Sequence, residues 1–222
     1  ALAEYRGAAV SSELLTWLIR LGFSSQVLQA AHEFVGAELD HADMSWEVYE
    51  ALGGTGDPLD VPEGALIASQ GIGRPTFERC VLACLDRYCL AETLAAPLFV
   101  SMAEGATEDA PKQALARIVD DLETQKALGW AILDEAREQD GKLVEALAKK
   151  HLPTYFTRVE RAWGVMPEGW VEPVGPHEKG YGLIPRARYK REFYQAIAEE
   201  VLPRLEQRNL PARTAWGKRK KM

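Results

Sequence analysis

Cysteine is scarce in this chain of 222 residues: only Cys80, Cys84 and Cys89 occur, crowded into one segment. That clustering excludes a disulfide-stapled scaffold and fits a reducing, cytoplasmic setting. No apolar run approaches the roughly 18–20 residues needed to cross a bilayer, so no membrane span is expected. No secretory leader is legible. No segment alternates apolar and polar residues with the period of a strand, and no unit recurs at a fixed spacing. There is no Gly-x-Ser-x-Gly element. Gly71-Ile72-Gly73 follows no strand, so neither a hydrolase elbow nor a phosphate cradle is expected.

What remains is ordinary in amount and helical in pattern. Hydrophobic residues make up 47% and charged residues 27%, enough for one well-buried core. The net charge of −7 argues against a nucleic-acid binder as a whole. The end differs: from Arg204 to Met222 there are seven basic residues and one acidic residue, Glu206. This stretch reads as a solvated basic tail, with a nucleic-acid or partner contact as the other option.

Apolar spacing predicts a first helix over 3–21, ended by Gly22, and a second from a cap at Ser24 or Ser25 to 52. The inner stripe of the second reads Val27, Ala31, Phe34, Glu38, His41, Ser45, Val48. Residues 53–74, rich in Gly and Pro, predict a long loop of the kind that is functional or mobile. A third helix over 75–104 carries the stripe Val81, Leu85, Cys89, Glu92, Ala96, Phe99. Pro97 predicts a kink one turn after Glu92. A fourth, to 138, carries Leu115, Ile118, Leu122, Gln125, Gly129, Ile132. A fifth helix over 141–151 is expected to end or bend before Pro153, followed by a short piece to 163, an irregular stretch over 164–185, and a last helix over 188–205.

The chemistry lies on the stripes. Glu38-Leu39-Asp40-His41 is a Glu-x-x-His pair, and residues three apart project from nearly the same helical face. Glu4 and Glu38 lie about equally far from the turn at Gly22, roughly 25 Å at 1.5 Å per residue, so antiparallel helices bring them level. Glu92 joins them from the third helix. Carboxylate and imidazole donors of this kind suit iron or manganese.

Other candidates read more plainly. Cys80 and Cys84 share a face as small buried fillers. His32 falls one position off the stripe and reads as a surface or packing residue. His151 reads as a carbonyl cap before a helix break, and His177 as part of a flexible loop that could cover a pocket mouth. Trp17, Trp46, Trp130 and Trp163 read as core or interface.

Glu38-x-x-His41, Cys89-x-x-Glu92-Thr93 and Leu128-Gly129-Trp130 together resemble the ferritin-like bacterial di-iron carboxylate proteins over residues 3 to 135. The resemblance implies an all-α, ferritin-like four-helix bundle over 1–138, with a C-terminal helical extension over 139–222 packed on it. It implies Glu4 as a terminal ligand, Glu38 as a bridging ligand, His41 on the same metal and Glu92 on a second. The chain departs from the family in its fourth helix. Counted back from Trp130, the family's Glu and His fall on Leu122 and Gln125. Leucine cannot bind metal, and Gln125 offers a neutral carbonyl oxygen. Asp121 and Glu123 flank the empty position but point about 100° away.

Three readings stay open. One iron or manganese ion per chain is held by Glu4, Glu38, His41 and Glu92, with Gln125 beside it, and activates dioxygen toward a small-molecule substrate as a non-haem oxidoreductase would. Or the metal is gone and the bundle is a scaffold or partner-binding subunit, its partner another protein or, in a homo-oligomer, a second copy of the chain. Or a metal is kept only for storage, stability or sensing.

Overall fold

The computed structural model describes residues 1–56, 64, 66–164 and 174–220, without the side chains of Trp163 and Gly164. Residues 57–63 and 65 of the expected loop over 53–74, and residues 165–173 of the irregular stretch over 164–185, therefore lie outside the described residues. So do the side chain of Trp163 and the tail's last two residues. The described residues are helical with connecting turns, and none of them forms a strand.

Helix α1 spans Leu2–Arg20 and α2 spans Ser25–Ala51. The turn between them uses Gly22 at φ +72°, a left-handed conformation that costs a glycine little. Ser24 caps α2 by accepting a hydrogen bond from the Val27 amide at 3.3 Å. The Ser24 amide in turn donates to Glu135 at 2.9 Å, which ties this hairpin to a distant helix.

Helix α3 (Thr76–Ala83) runs into a π-helical segment, Cys84–Ala91, and then into α4 (Glu92–Gly105). The irregularity expected at Pro97 lies before Glu92 instead. Pro97 is accommodated inside α4, whereas the π segment upstream carries the departure from α geometry. The reason is packing: Cys84 and Cys89 send their thiols to one carbonyl, that of Gly129, at 3.1 and 3.3 Å.

Helix α5 covers Asp109–Val159, broken only at Asp140 (φ −150°, ψ 78°), whose Oδ1 accepts from the Leu143 amide and caps the second half. Pro153 does not end that half, contrary to the sequence expectation, and a π-helical turn, Glu160–Gly164, follows it. His151 accordingly caps no helix end; its ring lies beside Tyr155. Short helices α6 (Pro176–Gly180), α7 (Arg186–Ala196), α8 (Leu202–Gln207) and α9 (Ala212–Lys218) complete the chain.

Helix α1 packs on α2, α2 on α5, α5 on the α3–α4 rod, and α3 back on α1, which closes a ring of four helical rods. Val10, Leu14, Phe34, Leu85, Leu94 and Ile132 fill its interior, and the same apolar core continues into Val144, Phe156, Ile197 and Ala215. The basic end is docked in part, while Arg213, Lys218 and Lys220 are exposed as a solvated tail would be. Arg208 makes a two-pronged pair with Asp134, both contacts 2.7 Å, and Arg219 pairs with Glu160 at 2.8 Å. Trp216 lies edge-on to Phe156. No described helix is long and apolar enough to cross a membrane.

Candidate metal centre

The site is built where α1 makes room. Glu4 lies on its first turn, and Gly7, one turn on, presents no side chain to the interior. A Cβ at Gly7 would fall 1.7 Å from Oε2 of Glu38 and 3.0 Å from a guanidinium nitrogen of Arg87. The Glu38 carboxyl and the Arg87 guanidinium thus crowd the space that a side chain at position 7 would fill.

Glu38 is 4% exposed, and its Oε2 has no hydrogen-bond donor within reach. Its carboxyl meets that of Glu4 at hydrogen-bonding range, a contact that only a shared proton makes favourable. The expected level placement of Glu4 and Glu38 is therefore present. Burial, then repulsion from Glu92 and Glu4, pushes Glu38 up to about 9 despite the opposing charge of Arg87. Burial also raises Glu92 to about 7, with Arg87 pulling the other way and Glu4 adding to the rise.

His41 is held from behind. Its Nε2 lies 3.0 Å from Oδ2 of Asp121, whose other oxygen is 3.4 Å from Arg117. A carboxylate only accepts, so Nε2 is the nitrogen that donates to Asp121, and Nδ1 is the nitrogen left over for a ligand role. Asp121 points toward His41, against the sequence expectation that it turns away.

On the fourth side, Leu122 is buried in an apolar cluster with Ala96 and Ile118, against which Phe99 and Met44 pack. Gln125 is 5% exposed, and its amide nitrogen has no partner. It shares with Ala37, Asp121 and Thr124 the wall of an open groove of about 350 Å³ between α2 and α5, which Glu4, Glu38, His41 and Glu92 do not line. Tyr88 lies beneath the carboxylates, its hydroxyl 2.8 Å from that of Ser11, with burial raising its phenol.

The structure thus brings Glu4, Glu38 and Glu92 into mutual electrostatic reach and places His41 on the same inner face of α2. Among the described residues, no three His, Cys, Asp or Glu side chains stand close enough to close around one ion. Donor chemistry fits a single ion: an unpartnered carboxylate oxygen and an imidazole whose outer nitrogen is fixed are ligands in waiting. For a second ion α5 adds little, since Leu122 has no donor atom and Gln125 has only a neutral amide.

Sequence reasoning missed Arg87, Gly7 and the role of Asp121. Gly7, three residues after Glu4, and Asp121, four before Gln125, are both at helical spacing from expected site residues. Arg87 gave no such signal, because it lies five residues before Glu92, a spacing that an α-helix does not put on one face. No protein-family model, no curated protein and no solved structure matches the chain.

Proposed function

We propose that this pocket takes up one divalent metal ion, iron or manganese, in a ferritin-like four-helix bundle whose second metal position has been lost. The carrying observation is the unpartnered Oε2 of Glu38, buried beside Glu4 and Glu92. Crowding buried carboxyls together carries a free-energy cost that protonation or a cation has to relieve. A metal ion relieves that cost for all the acids at once. Glu38 and His41 are the core ligands, Glu4 and Glu92 close on the ion by side-chain rotation, and Gln125 stands at the groove.

Bound iron would supply activation of dioxygen for oxidation or hydroxylation, which makes the chain a candidate oxygen-dependent non-haem oxidoreductase. The protein's own part is to hold the His41 ring through Asp121 and to admit a small substrate through the groove at Gln125. An anaerobic Fe(II) titration followed by air tests this. About one iron per chain with an oxygen-dependent absorbance change supports it; no uptake refutes it.

A second reading, a metal-free scaffold or partner-binding protein, is favoured by one specific fact: a cation, Arg87, already stands among the acids. On that reading the protein copurifies with a partner and takes up no iron.

A further inference from the structure

The π segment gives Arg87 a place that an α-helix would deny it. In an α-helix, residues five apart are separated by about 140° around the axis. Between Arg87 and Glu92 the winding is looser: the Glu92 amide donates to the Arg87 carbonyl, an i to i−5 bond. That bond brings the two side chains toward one face. The guanidinium then acts on both Glu38 and Glu92, and one of its nitrogens shares with Glu38 Oε2 the hollow left by Gly7. Its Nε is buried without a hydrogen-bond partner, so the group is held there by charge rather than by a saturated set of bonds. A guanidinium cannot lose its proton in a protein.

From α5 come Leu122, which packs in an apolar cluster and carries no charge, and Gln125, which is buried and neutral. The acids and these neutral residues leave the pocket short of one cation and short of one set of ligands. A tethered positive charge answers both.

We propose that Arg87 is a built-in cation that takes the place of a second metal ion, so that the site neutralises its carboxylates with one exchangeable ion and one fixed charge. The inference rests on the single-metal reading for the exchangeable ion, but the fixed charge can be tested without it. Because Arg87 competes with incoming metal for Glu38 and Glu92, it also sets the affinity of the pocket for metal.

The test compares Arg87→Met, which keeps much of the volume and removes the charge, with Arg87→Lys, in apo protein and with added Mn(II). In apo protein, Arg87→Met is expected to melt lower by about 3 °C or more, since buried acids lose their counter-charge. Arg87→Lys is expected to recover most of that loss. Adding Glu92→Gln to Arg87→Met is also expected to recover it, because the uncompensated charge is gone. In titrations, Arg87→Met is expected to bind Mn(II) about tenfold tighter than the unsubstituted protein. If Arg87→Met keeps both the melting temperature and the Mn(II) affinity unchanged, the inference is overturned. If it melts lower but neither Arg87→Lys nor the double variant recovers, the role is packing, and the inference also falls. If no variant takes up Mn(II) while the charge-dependent melting pattern appears, Arg87 is the pocket's sole cation; the inference stands and the metal reading does not.

Discussion

Nε2 of His41 lies 3.0 Å from Oδ2 of Asp121, across the interface of α2 and α5 and eighty positions apart in the chain. The contact fixes the ring's tautomer and its orientation together, which is what an imidazole needs before it can serve as a ligand. Through this contact α5 reaches the imidazole of α2 by way of Asp121.

His41→Ala is expected to abolish metal uptake while far-ultraviolet circular dichroism stays unchanged. Asp121→Asn is expected to weaken uptake by about 10- to 100-fold, the usual cost of losing a partner behind a ligand. Equilibrium dialysis against Mn(II) measures both. Equal affinity in Asp121→Asn and the unsubstituted protein would show that His41 is not the ligand.

The acids give the apo protein a signed pH dependence. Glu38 is raised from 4.5 to about 9 and Glu92 from 4.5 to about 7, so the folded state keeps protons that the unfolded chain releases. Their stabilising contribution is full below about pH 4.5 and is lost as pH rises through 7 and 9. Each proton contributes a slope of at most about 1.4 kcal/mol per pH unit within its window. Denaturant melts of chelator-treated protein at pH 6 and pH 9 are expected to show lower stability at pH 9. Glu38→Gln is expected to flatten the dependence and to melt above the unsubstituted protein near neutral pH.

Gly129 lets α5 approach the π segment. A Cβ there would lie 2.5 Å from the carbonyl carbon of Tyr88 and 2.6 Å from its oxygen, both backbone atoms that cannot swing aside. Gly129→Ala is expected to destabilise the fold by about 1–3 kcal/mol through overpacking. That corresponds to a melting temperature lower by about 2–4 °C per kcal/mol for a chain of this size. An unchanged melting curve would mean that the two helices are not so closely opposed.

The thiols of Cys80, Cys84 and Cys89 are fully buried, and burial raises those of Cys80 and Cys84. Cys84 and Cys89 have their sulfurs 3.8 Å apart and share the Gly129 carbonyl. A thiol reagent is expected to label none of them in the native state and all of them in denaturant. Rapid native labelling would place the π segment at the surface.

Much of the helical framework was legible because apolar spacing encodes which face is buried. The inner stripe of α2, through Val27, Ala31, Phe34, Glu38 and His41, is the face the structure buries. Leu122, Gln125 and Gly129 likewise face inward from α5. What the spacing could not show was local winding. A π turn has no compositional mark in Cys84–Ala91, so the irregularity was sought at Pro97, where the chemistry of proline points. For the same reason Arg87 read as one more charged residue on a helix. Pro153 was misread by the same rule, since the surrounding core holds α5 helical through it. The basic tail was read from charge alone, while Asp134 and Glu160, which pair with it, lie far away in sequence.

The central claim is a count of ions. Protein stripped with chelator, dialysed against Mn(II) and analysed for bound metal per chain tests it most directly, with His41→Ala alongside. Close to one ion per chain is expected, and none above background in His41→Ala. Two ions per chain, or equal uptake by the variant, would contradict it.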